Sequence, residues 1–311
     1  MSFVNHFKYN GPVRRYARMS IGCRGRLSTR PNGGGNTREV ADGIGRTVRA
    51  GPDAAGGGRT RRALEVIVPA FNEEKRLAPC LSALREQLVN VDGVAASIRV
   101  IDNGSTDRTA EVVDKANRIS WAVPVYLSGC AMRGKGSAVA RGMVTSKADW
   151  VGFCDADLAT PATTINDAVA YLRDGWDVVI GSRLVEGARR VRRQSALRRV
   201  EGLGFRLLTA DLVRDVRDTQ CGFKFFQGEA ARRLFSKASL TGFAFDIEIL
   251  ALAADLGMSI KEIPVVWTDG DGSTLRPLHD APDIIRELSL LRRRRRAIRL
   301  LCEDRPATER C

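Results

Sequence analysis

From residue 63 onward, short apolar runs alternate with longer stretches whose apolar residues recur at helical spacing. Leu64–Val68, Ile98–Ile101, Val123–Leu127, Trp150–Cys154 and Val178–Ile180 have strand length and are rich in β-branched residues. Between them, Glu73–Val89, Thr106–Arg118, Gly136–Thr145 and Ala162–Leu172 read as helices. This alternation predicts an α/β, Rossmann-like fold: a mostly parallel sheet flanked by helices. Residues 181–275 are less regular, with Arg-rich helices and a Gly/Phe-rich segment, Asp218–Phe226. A helix is expected over about Asp246–Leu256 and a strand near Ile260–Trp267. Asp283–Leu301 reads as a helix with Ile284, Leu288 and Leu291 on one face. Arg292–Arg296 cover all faces of a helix, so they make no amphipathic stripe.

Charge divides the chain into three parts. Residues 1–62 hold one Lys and twelve Arg against three acids, net +10, and residues 292–311 carry net +5. With +14 in total, the body is close to neutral. Residues 1–62 are Gly- and Arg-rich without periodicity and read as a disordered basic tail. The expected organisation is this tail, a catalytic domain over 63–291 and a basic C-terminal tail over 292–311. Basic ends on a neutral body point to an anionic membrane surface; no nucleic acid is expected as a partner. No run approaches the ~18 apolar residues of a membrane span, and no apolar signal core opens the chain. The seven Cys are scattered without a Cys-x-x-Cys pair, which fits a reducing cytosol and no zinc site. A cytoplasmic protein, peripheral on the inner face of a membrane, is expected. With only His6 and His279, any chemistry runs on carboxylates, Lys, Arg and metal.

Ligands of parallel sheets bind beyond the carboxyl ends of the strands, and the polar loops here follow strands. Asp155-Ala-Asp157 ends an apolar run. Two carboxylates without Cys or His make a hard-oxygen site for Mg²⁺ or Mn²⁺, completed by phosphate oxygens. In Pro69-Ala-Phe-Asn-Glu73, Asn72 is placed to cap the next helix. In Asp102-Asn-Gly-Ser-Thr-Asp107, Ser105 or Thr106 is placed as a cap, while Asp102 is free to accept a base-ring N–H. Gly129-x₄-Gly134-Lys135 has P-loop spacing, but Gly136 stands where a Mg²⁺-binding hydroxyl belongs. A P-loop NTPase therefore stays open as an alternative, and in either reading Lys135 faces phosphate. Arg183, Arg198 and Arg276 are candidate phosphate forks.

Taken together, Asp155-Ala-Asp-Leu-Ala-Thr160, Arg217-Asp-Thr-Gln-Cys-Gly-Phe-Lys224, Phe243-Ala-Phe-Asp-Ile-Glu-Ile249 and Ile263-Pro-Val-Val-Trp267 with Gly272-Ser273 resemble the inverting GT-A-fold glycosyltransferases. Within that family, residues 64–290 are most similar to the dolichyl- and polyprenyl-phosphate hexosyltransferases. The resemblance implies a nucleotide-diphosphate sugar donor, UDP-glucose favoured over GDP-mannose, and a polyprenyl phosphate acceptor. It places Pro69, Ala70, Glu73 and Asp102 on the nucleoside, and Asp155 and Asp157 on the metal; Asn72, Gly104, Ser105 and Lys135, in the same loops, are further candidates for nucleotide-sugar binding. Arg183, Arg198 and Arg276 would face the phosphates, the last from a loop after Trp267. Asp246 and Glu248 would lie on the acceptor side. Asn103 departs from the family pattern, which commonly has Asp there. For a soluble hydroxyl acceptor, the alternative within this fold, Asp246 would serve as base and Asp218 as second choice.

Overall fold

The computed structural model describes residues 61–119, 122–191, 204–268 and 277–303. The expected disordered tail, up to residue 60, lies outside them, as do Arg198 and Arg276. The first part of the chain is β1 (Arg62–Ala70), α1 (Leu77–Leu88), β2 (Val94–Asp102), α2 (Thr109–Arg118) and β3 (Val125–Gly129). It continues with α3 (Lys135–Thr145), β4 (Trp150–Cys154), α4 (Ile165–Arg173), β5 (Val178–Ser182) and β6 (Arg189–Arg190). A helical segment, α5, is described over residues 204–209. Then follow β7 (Phe223–Gln227), α6 (Gly228–Phe235), α7 (Phe245–Asp255), β8 (Ile260–Pro264), β9 (Val266–Trp267) and α8 (Pro277–Glu303).

The main sheet has the order β3-β2-β1-β4-β7-β5-β8, and β6 pairs with β9. All neighbours in the main sheet are parallel except β7, which runs antiparallel to β4 and β5. Strand alternation sends Leu64, Val66 and Val68 of β1 into one core, with Leu77, Leu81 and Leu84 of α1. Ile67 enters the other, with Val139 and Met143 of α3, Ile247 of α7 and Leu288 of α8. The chain leaves β1 for β2 on one side and later returns to place β4 on the other. The switch point, where such sheets bind ligands, is thus at the ends of β1 and β4.

Three expectations change. Helix α1 starts at Leu77, not Glu73: after Asn72 (φ 57°) a turn comes first, in which the Glu73 carbonyl accepts the N–H groups of both Arg76 and Leu77. Segment 223–227, read only as Gly/Phe-rich, is a central strand. Finally, α8 spans Pro277–Glu303, longer at both ends than the expected Asp283–Leu301 helix, and it carries Arg292–Arg296. Arg292 pairs with Asp211, Arg294 with Glu248 and Arg295 with Asp255, while Arg293 and Arg296 stay exposed.

Candidate active site

The loops after β1 and β2 are interlocked. Ala70 and Asp102 are register partners at the strand ends. Asp102 Oδ1 accepts the Ser105 N–H (3.0 Å) and hydroxyl (2.5 Å), and Ser105 Oγ accepts the Asn72 N–H at 3.0 Å. Asn72 Oδ1 accepts the Thr106 N–H at 2.8 Å. Asn72 therefore ties loop to loop and caps no helix. Ser105 and Thr106 do not cap α2 either: Asp107 Oδ1 takes the Thr109 N–H at 3.0 Å. Gly104 has φ +84°, a turn conformation that L side chains rarely adopt.

Glu73 holds Arg76 through both carboxylate oxygens (2.7 and 2.8 Å). Burial raises its pKa; Arg76 opposes this, and the nearby Asp157 and Asp155 add to it. The β1 loop and the end of β4 thus lie close enough for their carboxylates to repel one another.

At the end of β4, Asp155 Oδ1 receives the Lys135 Nζ at 2.6 Å. Burial works to lower the Lys135 pKa, but Asp155, Asp246 and Asp157 outweigh it, and the ammonium is held charged. Asp157 Oδ1 accepts the Ala159 N–H at 3.0 Å, and the turn places Leu158 at φ 46°. The donor set is therefore two carboxylates presented by one tight turn. Among the described residues, no group of three or more His, Cys, Asp or Glu forms a metal cage. All-oxygen ligands supplied only in part by protein fit Mg²⁺ or Mn²⁺, which take further oxygens from phosphate and water.

Gly222 lies directly under Asp155. A Cβ there would stand 2.0 Å from Asp155 Oδ2, while the Gly222 carbonyl accepts the Asp155 N–H at 3.1 Å. The short Asp155 side chain yields more easily than the sheet does. Gly222→Ala is accordingly expected to swing the carboxylate off Lys135. It should lower kcat/KM by about 10²-fold, the cost of an ångström-scale misplacement, with little change in melting temperature. A fully active variant would remove the Asp155 geometry from the chemistry.

The same loop reaches the other end of the site. Asp218 is buried and grips Arg183 through Nε (2.7 Å), Nη2 (2.8 Å) and its backbone N–H (2.9 Å). Burial works to raise the Asp218 pKa, but Arg183 outweighs it and holds the carboxyl below its ordinary range. The guanidinium also faces the Trp267 ring, 5.4 Å from its centroid. Asp246 is 4% exposed, and its Oδ1 accepts from the fully buried Lys224 Nζ at 2.5 Å. Burial raises the Asp246 pKa, against the pull of Lys224 and Lys135.

Two groups here escaped the sequence. Asn103 is buried; its Nδ2 donates to the Met132 carbonyl (2.7 Å), and its Oδ1 accepts the Gly134 N–H (2.7 Å). An ionised carboxylate has no N–H to donate to a carbonyl, so the amide departure from the family's Asp serves the loop before Lys135. On the far side, the Thr241 carbonyl accepts the Gly136 N–H at 2.9 Å. The only sequence signal for either is the amide at 103.

Residues 65–235 match the family model described as Glycosyl transferase family 2. Dolichyl-phosphate beta-glucosyltransferase of Drosophila melanogaster is 35% identical over 240 residues, 73% of this chain and 74% of that one. The protein of the same name in Dictyostelium discoideum is 37% identical over 239 residues, 72% and 73% of the two chains. Among solved structures, glucosyl-3-phosphoglycerate synthase from Mycobacterium tuberculosis, in complex with Mn²⁺, UDP-glucose and phosphoglyceric acid, superimposes with a TM-score of 0.55. It does so at 21% identity over 74% of this chain and 78% of that one, a likeness of fold. The family model spans more than half of the sequence and these relatives extend the match beyond it: the chain belongs to glycosyl transferase family 2.

Proposed function

We propose that the chain transfers a hexose, glucose before mannose, from a nucleotide-diphosphate sugar to a polyprenyl phosphate, with inversion at the anomeric carbon. The carrying observation is the convergence at the sheet's switch point: Asp155 and Asp157 follow β4, Lys135 reaches Asp155 from the start of α3, and the Arg183–Asp218 fork lies at the other end of the loop that carries Gly222. The NTPase alternative gives way to the family membership. Asp102, whose Oδ1 is tied to Ser105, presents its other oxygen to a base-ring N–H. Pro69, Ala70, Asn72, Glu73, Gly104 and Ser105 shape the nucleoside end. Asp155 and Asp157 would hold Mg²⁺ or Mn²⁺, which supplies charge stabilisation for the leaving diphosphate. Lys135 adds a fixed cation on the same side.

The state of the two acids favours a phosphate acceptor. Asp246 is buried against Lys224, and both oxygens of Asp218 are held by Arg183, so neither is poised to deprotonate a hydroxyl. A phosphomonoester with second pKa near ~6 needs no such base. Arg183, together with Arg198 and Arg276, would align it for in-line attack. Among the described residues no helix is long and apolar enough to cross a membrane. Contact with an anionic surface falls to exposed cations such as Arg293 and Arg296 on α8.

The test is a donor screen. Purified protein is incubated with Mg²⁺ or Mn²⁺, radiolabelled UDP-glucose or GDP-mannose and a short polyprenyl phosphate, then extracted with organic solvent. Label is expected in the organic phase from UDP-glucose. Donor hydrolysis without lipid product would move the acceptor to a soluble hydroxyl.

A further inference from the structure

The loop 239–244 joins α6 to α7, and its backbone is held by carboxylates. Glu248 Oε2 accepts the N–H groups of Ser239 (2.9 Å) and Leu240 (2.7 Å). Glu287, from the distant α8, accepts the N–H of Gly242 through Oε1 and that of Ala244 through Oε2, both at 3.2 Å. Ala244 precedes α7 and has no side-chain cap of its own, so Glu287 adds, from another helix, a carboxylate to the Asp246 and Glu248 of the first turn of α7. Arg294, further along α8, reinforces the arrangement through Glu248 (3.1 Å) and the Lys237 carbonyl (3.0 Å).

The loop in turn seats the turn that carries Lys135. The Thr241 carbonyl takes the Gly136 N–H, and a Cβ at Gly134 would stand 2.2 Å from that same oxygen. At Gly136 a Cβ would meet the Phe245 Cβ at 2.8 Å and the Thr241 oxygen at 2.9 Å. Backbone lies on backbone there, without room for adjustment. Lys135 stands between these two glycines, with its Nζ on Asp155.

We propose that Glu287 is a positioning residue for Lys135: by fixing Gly242 and Ala244 it holds Thr241, and Thr241 holds the backbone that aims the lysine at the donor diphosphate. The inference rests on the nucleotide-sugar reading above and adds to it a remote clamp from α8. A purely structural Glu287 would change stability and leave donor affinity alone.

A double-mutant cycle on the full chain tests this, read as UDP affinity by isothermal titration with Mn²⁺ present and as melting temperature. Lys135→Ala is expected to weaken UDP about tenfold, the cost of one charge-assisted contact. Glu287→Ala is expected to weaken it several-fold. In the Lys135→Ala background, Glu287→Ala is expected to cost no further affinity while still lowering the melting temperature. Additive losses in affinity, or wild-type affinity in Glu287→Ala, overturn the proposal and leave the nucleotide reading standing. Wild-type affinity in Lys135→Ala overturns both. If Glu287→Ala does not fold, Glu287→Gln carries the cycle. Its single amide oxygen can hold one of the two N–H groups, so the loss is smaller and must still vanish without Lys135.

Discussion

Asp157→Asn is expected to lower kcat/KM for sugar transfer by about 10³-fold, the scale of removing one group that stabilises developing charge. The melting temperature should move by no more than ~2 °C, because the residue is exposed and surface substitutions of this kind cost about 0.5 kcal/mol or less. The asparagine is chosen for its geometry. The native Oδ1 accepts the Ala159 N–H, and an amide oxygen in the same place keeps that bond and the turn with Leu158 at positive φ. What disappears is the negative charge, which is what a hard cation needs. Turnover with the donor identified by the screen, beside a thermal melt, reads the two effects separately. An active, metal-dependent asparagine variant would sink the assignment of Asp157 to the metal.

Lys224→Met is expected to cost about 3–5 kcal/mol of stability, since it leaves a buried carboxylate without its partner. Lys224 is fully buried, donates to the Cys221 carbonyl (2.7 Å) and to Asp246, and lies over the Phe153 ring. At ~2–4 °C per kcal/mol for a domain of this size, the melting temperature should fall by about 10 °C. The pH dependence carries a sign. Burial holds the Asp246 carboxyl above its unfolded value, so without Lys224 the ionised form costs stability at high pH. That cost shrinks as pH falls through the raised pKa. Lys224→Met should therefore recover part of its stability on mild acidification. The double variant Lys224→Met/Asp246→Leu is expected to recover most of it at neutral pH, because an apolar pair of similar volume replaces a buried ion pair at little cost. Its activity then decides the role of Asp246. A stable, active double variant makes the acid a packing element, and a stable, inactive one returns it to the site. A single Lys224→Met variant as stable as wild type would contradict the buried pair itself.

The strand–helix order and the loops after β1, β2 and β4 were legible in the chain because hydrophobic periodicity is local. Each element carries its own alternation, and the polar turns sit where that alternation stops. Asp155 and Asp157 stood out for the same reason, as carboxylates abruptly ending an apolar run. The resemblance in 217–224 and 243–249 marked the second half as part of the site without saying how it folds. Where the sequence misled, a distant partner decided. Phe223–Phe226 reads only as part of a Gly/Phe-rich segment until β4 and β5 close on it from both sides, and only then does Lys224 become a core residue with Asp246 as partner. Arg292, Arg294 and Arg295 read as part of a run that covers every face of a helix, yet acids 40 to 81 positions away take them up. Asn72 looks like a cap but bonds across 34 positions to the neighbouring loop, because two strand ends lie side by side in the sheet. Sequence periodicity determined β1 to β5, the helices between them and the carboxylates at the mouth. The aim of those carboxylates, and the Asn103, Thr241 and Glu287 contacts around Lys135, came only from tertiary packing, since hydrogen-bond partners far apart in the chain leave no periodic trace in it.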